Sequence, residues 1–380
     1  REHNEDNFLI ADLSRKTRSL LVPDRDQTVG PRGNVMGVCD GMGGAAAGEV
    51  ASQLAVDIIY EILCADPAPE GHDELAKRLV QAVEEAGVRI FSEARADRSR
   101  RGMGTTATIA ALLDERLFLA QVGDSRAYIL RNGQLVQVTR DQSLVTQLIE
   151  AGQLTEEEAE TFEHNNIILQ ALGTADSVQV DLTYVDLRRG DRIMLCSDGL
   201  SGMIRSDEIR QVLLSFADPL QACRELTDRA NAAGGHDNIT VIVADFDGEG
   251  LEPFGKGDDT LCYRKYSLPG TRESSSSATV RVGPTGPEIT SSAASAAPEA
   301  KRDSLRLRVA NTLLGGSLRA ADPGAEARVD TVPVMEPARM YDPTQDPISI
   351  PVSGLPPTVV GGLVILAMVL AAVAGFFLIH

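Results

Sequence analysis

The chain of 380 residues is longer than one core usually organises, and at ~150 residues per domain it predicts about two or three units. Its 36 basic and 55 acidic residues give a formal charge of −19, which leaves no basic surplus for a phosphate backbone and excludes nucleic-acid binding from the working readings. At 24% charged and 43% apolar it is neither disordered nor fibrous in composition. Its five cysteines, Cys39, Cys64, Cys196, Cys223 and Cys262, are far apart with no C-x-x-C pair, which argues against a disulfide framework or zinc site and fits a reducing compartment.

Arg1 is not an initiator and no signal peptide precedes it, so the start reads as clipped, short of a first strand. Phe8 to Leu13, Ser19 to Val22 and Asn34 to Cys39 predict short strands. Two helices follow, because Val50, Leu54, Ile58 and Ile62 keep a four-residue period and Leu75, Leu79, Val83, Ala86 and Ile90 a three-or-four one. Thr105 to Leu113, Arg116 to Val122, Ala127 to Leu130 and Leu135 to Val138 predict an antiparallel meander, with an Asn132-Gly133 turn before its last strand. A helical stretch, Leu144 to Phe162, precedes strands at Val178 to Val185 and Arg192 to Cys196. Helices over Asp207 to Phe216 and Leu220 to Ala232 then lead to a last strand, Asn238 to Phe246. Strands apolar on both faces, such as Leu117-Phe118-Leu119-Ala120, need cover on both sides, which two stacked sheets with helices outside provide.

Residues 1–248 therefore form the folded domain, with −17 of the total charge. Thirteen of the eighteen prolines fall between Glu249 and Thr358, where Ser, Ala and Gly crowd and periodicity fades, so residues 249–358 predict a disordered linker. Lys301, Arg302, Arg306 and Arg308 form a basic knot in it, read as a solvated charge cluster. Val359 to Ile379 carries no charged residue, and about twenty residues at 1.5 Å each match a ~30 Å hydrocarbon core, predicting a transmembrane helix over 359–379. Only His380 lies beyond, so the chain is tail-anchored or cut just after the span. The missing signal peptide and the scattered cysteines place the folded domain on the cytoplasmic face, as a single-pass membrane protein.

Five acids share one placement, each where an apolar strand stops or turns: Asp6, Asp40, Asp124, Asp198 and Asp237. Glycines adjoin or nearly adjoin most of them, permitting tight turns and bringing backbone carbonyls close. Carboxylates gathered at one end of a sheet repel one another unless a cation compensates, and all-oxygen ligands favour Mg²⁺ or Mn²⁺ over zinc. A single Asp before Gly is more often a plain turn residue, and it is the repetition that points to a site.

Arg1-Glu2-His3-Asn4-Glu5-Asp6, Asp40-Gly41-Met42-Gly43-Gly44, Gly104-Thr105-Thr106-Ala107-Thr108, Val122-Gly123-Asp124-Ser125-Arg126-Ala127-Tyr128, Cys196-Ser197-Asp198-Gly199-Leu200 and Gly234-Gly235-His236-Asp237-Asn238-Ile239-Thr240-Val241 resemble, in order and spacing, the motifs of metal-dependent protein serine/threonine phosphatases of type 2C in their bacterial form. The resemblance covers residues 1 to about 246. It implies an α+β fold, a four-layer α-β-β-α sandwich of two antiparallel sheets flanked by helices. It also implies hydrolysis of phosphoserine and phosphothreonine in proteins by a hydroxide bridging two tightly bound Mn²⁺ or Mg²⁺ ions, with a weaker third. By position Asp40 bridges both metals, the Gly41 carbonyl holds one, and Asp198 and Asp237 hold the other. Asp124 matches the third-metal residue of bacterial relatives, Glu5 and Asp6 act through metal-bound water, and Arg1 grips the phosphate. Serine/threonine kinases are the partners it suggests.

Two departures stand out. Met42 occupies the place where animal relatives carry a histidine that protonates the leaving group, so that proton must come from elsewhere. Asp141-Gln142-Ser143 stands where many relatives have Asp-His-Ser. His164, in the flap that the family places at about Leu144 to Gln179, is a candidate substrate contact, though more simply a surface histidine. The chemistry stands without the name: two divalent ions about 4 Å apart lower the pKa of a shared water, and an Arg fork suits a phosphate. Gly41-Met42-Gly43-Gly44-Ala45-Ala46 also fits a dinucleotide-binding pattern, but Asp40 would repel a pyrophosphate. Gly123-Asp124-Ser125-Arg126-Ala127 mimics a serine-hydrolase elbow, but a strand follows and no histidine serves Ser125. The rival from another class is a catalytically silent, membrane-anchored metal-binding scaffold for phosphoproteins, against which the complete acid set argues.

Overall fold

The computed structural model describes residues 3–18, 26–43, 47–159, 162, 166–255, 260–268, 278–283, 286–291 and 305–314. Within them the apolar runs become two large antiparallel sheets. The first contains β1 (Asn7–Asp12), β2 (Thr17–Arg18), β4 (Asn34–Cys39), β7 (Ala107–Leu113), β8 (Arg116–Val122), β11 (Asp181–Asp186), β14 (Cys262–Lys265), β15 (Ala278–Gly283) and β16 (Gly286–Ser291), in the order β16-β15-β14-β11-β8-β7-β4-β1-β2. The second contains β3 (Asp26–Thr28), β9 (Arg126–Arg131), β10 (Gln134–Gln137), β12 (Arg192–Cys196), β13 (Ile239–Gly248) and β17 (Leu305–Leu314), in the order β10-β9-β12-β13-β17-β3. A short pair, β5 (Gly41–Met42) with β6 (Gly104–Thr105), joins the loops after β4 and before β7.

Side-chain alternation explains why the strands are apolar on both faces. Leu117 and Leu119 face the interior between the sheets with Met36, Val38, Ile129, Leu195 and Ile242. Phe118 and Ala120 face the other way, against helices α1 (Ala47–Cys64) and α2 (His72–Ala96), whose Ile59, Leu63, Leu79, Val83 and Ile90 cover that side. On the far side α5 (Asp198–Ser201), α6 (Ser206–Ser215) and α7 (Pro219–Ala232) cover the second sheet, with Ile209, Val212 and Leu226 against Tyr128, Met194 and Val241. The result is the four-layer α-β-β-α order expected for the folded domain.

Three expectations change. The meander is divided between sheets: β7 and β8 pair in the first, β9 and β10 in the second, and the Gly123–Ser125 turn carries the chain across the sandwich. The helix over Leu144 to Phe162 is two short ones, α3 (Leu144–Glu150) and α4 (Glu156–Ala159). Its break has a local cause, for Thr155 and Glu158 form a reciprocal capping box that restarts the chain as a new helix.

The third change concerns the stretch read as linker from residue 249. Residues 262–265 add β14 to the edge of β11, and Tyr266 packs edge-on against Phe118 and Tyr184 at ring separations of 5.2 and 5.5 Å. Residues 305–314 become an interior strand, paired along the whole of β13 and flanked by β3. Leu305, Leu307 and Val309 are buried in the inter-sheet core, while Arg306 and Arg308 of the basic knot point outward and Arg308 pairs with Asp218 at 2.7 Å. The serines at 274–277, Lys301, Arg302 and the apolar run 359–379 lie outside the described residues, as do Ser19 to Val22. Among the described residues no helix is long and apolar enough to cross a membrane.

Candidate active site

At one end of the sandwich four chain segments meet. β4 stops at Cys39, and Asp40 is then fixed through its backbone: its N–H donates to Thr106 Oγ1 at 2.9 Å, and its carbonyl accepts from the Thr106 N–H at 2.8 Å and the Thr105 hydroxyl at 2.9 Å. At Gly41 a Cβ would lie 2.2 Å from the Gly48 carbonyl and 2.4 Å from that of Glu5, so only glycine lets the start of α1 and the N-terminal segment close on this loop. β12 stops at Cys196, and Ser197 leads into α5 with Asp198 as its first residue. Asp237 and Asn238 precede β13. The Asn238 side chain accepts from the Glu5 N–H at 3.0 Å and donates to the His3 carbonyl at 3.1 Å, which ties the N-terminal segment to the Asp237 loop.

Asp6 lies in the centre and is buried. Its Oδ2 accepts from the hydroxyls of Ser197 at 2.8 Å and Thr240 at 2.7 Å, while its Oδ1 finds no hydrogen-bond partner. Asp40, Asp124, Asp198 and Asp237 are half-buried, so this end is open to a ligand. Asp124 sits on the crossing turn between the sheets, where Gly123 takes φ 99° and a Cβ there would come within 2.6 Å of Thr106 Cγ2. Ser125 is fully buried, hydrogen-bonded to Thr106 Oγ1 at 2.8 Å, and so is no nucleophile. That contact links the Asp124 turn to the residue that fixes Asp40.

The acids feel one another. Burial, together with the charges of Asp6, Asp198 and Asp237, holds the Asp40 carboxyl well above the usual carboxylate range. Burial pushes Asp6 up to about 7 against the lowering effect of the Thr240 and Ser197 hydroxyls, and the charge of Asp198 adds to the rise. Asp124 is also raised to about 7, by burial and then by the charges of Asp198 and Asp141. A cluster whose members push each other toward the neutral form is one that a cation relieves. Asp124 Oδ1, like Asp6 Oδ1, is a buried carboxylate oxygen without a hydrogen-bond partner, and hard divalent ions take such oxygens as ligands. Among the described residues no three His, Cys, Asp or Glu side chains close on a single point, so the fit to cations rests on this crowding and on the two oxygens.

Of the residues singled out in the sequence, Asp6, Asp40, Asp198 and Asp237 come within electrostatic reach of one another, and Asp124 joins them through Asp198. Glu5 adjoins through its backbone, its carbonyl accepting from the Gly41 N–H at 3.2 Å. Arg1 and His164 lie outside the described residues. Thr105, Thr106, Ser197, Asn238 and Thr240 had no role in the sequence reading; Ser197, Asn238 and Thr240 lie in motifs that carry an acid, whereas Thr105 and Thr106 lie in Gly104–Thr108, which carries none.

A profile of the protein phosphatase 2C family matches residues 20–235. The chain belongs to the protein phosphatase 2C family. It is 38% identical over 232 residues to the serine/threonine protein phosphatase PstP of Mycobacterium tuberculosis, which covers 61% of this chain but 44% of that protein, so the match spans less than half of that relative. It is 33% identical over 247 residues to the serine/threonine phosphatase stp of Listeria monocytogenes, covering 65% of this chain and 92% of that one. Among solved structures, the M. tuberculosis phosphatase PstP/Ppp superposes with a TM-score of 0.53 at 34% identity, over 65% of this chain and 99% of the other. The PstP catalytic domain in complex with two manganese ions gives 0.50 at 33% identity, over 63% and 96%. The profile match begins after β1 and ends before β13, so Asp6 and Asp237 lie outside it, as do β14 and β17.

Proposed function

We propose that this chain hydrolyses phosphoserine and phosphothreonine esters in proteins with the help of Mn²⁺ or Mg²⁺. The observation that carries the reading is the crowding of Asp6, Asp40, Asp124, Asp198 and Asp237, whose charges burden one another at the open end of a type 2C sandwich. Asp40, the Gly41 carbonyl, Asp198 and Asp237 would hold two ions and Asp124 a weaker third. Divalent ions supply Lewis-acid activation of water for in-line attack on phosphorus, and they neutralise the charge on its equatorial oxygens. Asp6 is pinned on one oxygen by Ser197 and Thr240, and its other oxygen, without a hydrogen-bond partner, would accept a hydrogen bond from water. Glu5 acts beside it, and Arg1 supplies a planar fork for the substrate phosphate. Phosphate release from phosphothreonine peptides with added Mn²⁺ tests the reading, and undiminished release in excess chelator defeats it.

Residues 359–379 support a membrane tether, because the run carries no charged residue. All five cysteines are free, which suits the cytoplasmic face. Kinases of the serine/threonine class are natural partners for such a phosphatase at a membrane. A tether would begin after β17, which ends at Leu314, rather than at residue 249. The full chain should resist carbonate extraction, and protease outside intact cells should leave the domain uncut. Extraction by carbonate removes the tether, and external cleavage reverses the orientation.

A further inference from the structure

Between β10 and β11 the chain makes an excursion, described over residues 144–159 and 166–179, that is fastened on its return. The Leu144 N–H donates to the Ile167 carbonyl at 2.9 Å and the Leu169 N–H to the Gln142 carbonyl at 2.8 Å, while Thr105 and Leu172 exchange backbone bonds of 3.0 and 2.8 Å. Ile167 and Leu169, on that returning stretch, are large apolar side chains left 43% and 45% exposed. Beside Leu169 a cleft of about 290 Å³ opens, bounded also by Arg140, Gln142, Gln179 and Asp181. An apolar ridge next to a polar cleft, close to the acid cluster, suits the polypeptide around a phosphorylated side chain.

Gln142 stands where this excursion meets the Asp124 turn, and it is buried. Its backbone N–H donates to the Gly123 carbonyl at 2.9 Å, and its side-chain Oε1 accepts from the Gly123 N–H at 3.0 Å, so both backbone groups of Gly123 close on one residue. Gly123 has no side chain to anchor, and the turn that presents Asp124 is held from two sides: by these bonds from Gln142, and by Gln121 Nε2, which donates to the Gly123 carbonyl at 3.0 Å and to the Ser125 carbonyl at 2.8 Å. The other end of the amide reaches the point where the excursion re-enters β11: Nε2 donates to Asp181 Oδ2 at 3.1 Å and lies 3.4 Å from the Gln179 carbonyl. A carboxamide offers an acceptor to one side and donors to the other in a single fixed polarity, with no charge state to alter it.

We propose that Gln142 is a positioning residue whose amide couples the 144–179 excursion to the Gly123–Asp124 turn, so that a polypeptide seated on the excursion and the Asp124 carboxylate are set together. The inference rests on the phosphatase reading for its kinetic consequence, and on geometry alone for the coupling. Gln142→Met keeps the volume and removes both ends of the bridge. Gln142→Glu keeps the acceptor for Gly123 and turns the other end against Asp181. Adding Asp181→Asn to Gln142→Glu restores a donor and acceptor pair with reversed polarity.

The experiment measures Mn²⁺-dependent hydrolysis of a phosphothreonine peptide and of p-nitrophenyl phosphate, thermal stability, and amide hydrogen exchange at Gly123 and Leu169, all on the full chain. In Gln142→Met the peptide kcat/KM should fall at least about tenfold and the small ester no more than about threefold, with exchange faster at both amides. Gln142→Glu should speed Leu169 while leaving Gly123 protected, and the double variant should recover at least half of the lost peptide rate. Equal losses on both substrates with a lowered melting temperature would make Gln142 a prop of the fold and overturn the proposal. Unchanged exchange at Gly123 and Leu169 in Gln142→Met overturns the coupling, even if the parent chain hydrolyses neither substrate, an outcome that instead defeats the phosphatase reading.

Discussion

Asp40 and Asp6 are held by groups that belong to the interior of the sandwich: the backbone and hydroxyls of Thr105 and Thr106 for one, the hydroxyls of Ser197 and Thr240 for the other. Asp124 is held differently. Its turn shares the inner frame through Gln121 and the Thr106–Ser125 contact, and it is bonded besides to Gln142 and through it to the excursion. The inner acids thus have their places set when the two sheets pack, whereas the turn of the outer acid is bonded in addition to the excursion on which the proposed substrate would sit. That difference predicts a division of labour, with the inner set fixing the tight ions and the outer turn tuning the site to a protein substrate.

The severest way to break the inner set is to remove the strand behind it. β17 pairs residue by residue with β13, from Gly248 opposite Leu305 to Ile239 opposite Leu314, and so backs the strand that begins beside Asp237 and carries Thr240. Burial of Leu305, Leu307 and Val309 contributes roughly 1.5 to 3 kcal/mol each, a sum comparable to the whole stability of many domains, about 5 to 15 kcal/mol. A chain ending at Asp247 should therefore aggregate or fail to melt cooperatively, and one ending at Arg319 should melt as a folded unit. Cooperative melting of the shorter chain at an unchanged temperature would show that β17 adds nothing.

Asp40→Asn and Asp237→Asn leave the frame in place and strip charge from the inner set. Each should lower the Mn²⁺-dependent rate by several orders of magnitude, and retention of more than about a tenth of the rate contradicts a ligand role. Asp124→Ala should do less. Calorimetric titration with Mn²⁺ should still find two strong sites while peptide turnover drops by about ten- to a hundredfold. Loss of the strong sites would place Asp124 in the inner set and erase the contrast drawn above.

Much of this arrangement could be read before any coordinates. Asp40, Asp198 and Asp237 are visible because each ends or begins a run of apolar residues, and the doubly apolar strands already require two sheets with outer helices. What could not be read was which sheet a strand joins. Leu119 to Val122 and Ala127 to Leu130 have the same period, and only the left-handed Gly123 sends the second across the sandwich, which is what puts Asp124 at the site. The tail strand is legible in the strict alternation of Leu305-Arg306-Leu307-Arg308-Val309, the signature of a half-buried strand, although its arginines also read as a charge cluster within a Pro-rich stretch. Gln142 stands out in the sequence only as a departure from Asp-His-Ser, and its bonds could not be read there because its partners lie 19 and 39 residues away.

The smallest expected effect sharpens the comparison most. Thr240→Val keeps the shape of a buried β-strand side chain and deletes one of the two hydroxyls that donate to Asp6 Oδ2, leaving Ser197 as the other. A hydrogen bond to a charged group contributes about 1.5 to 3 kcal/mol, and part of that should be regained as Ser197 and solvent adjust. The variant should therefore lose about 1 to 2 kcal/mol of stability in urea and a few-fold to about tenfold in rate. Because Thr240 lies on the inner frame, the peptide and p-nitrophenyl phosphate should be affected by the same factor, unlike Gln142→Met. A loss confined to the peptide would mean that Asp6 answers to the protein substrate as Asp124 does, and the inner and outer acids would then be one set, held by different bonds but serving one task.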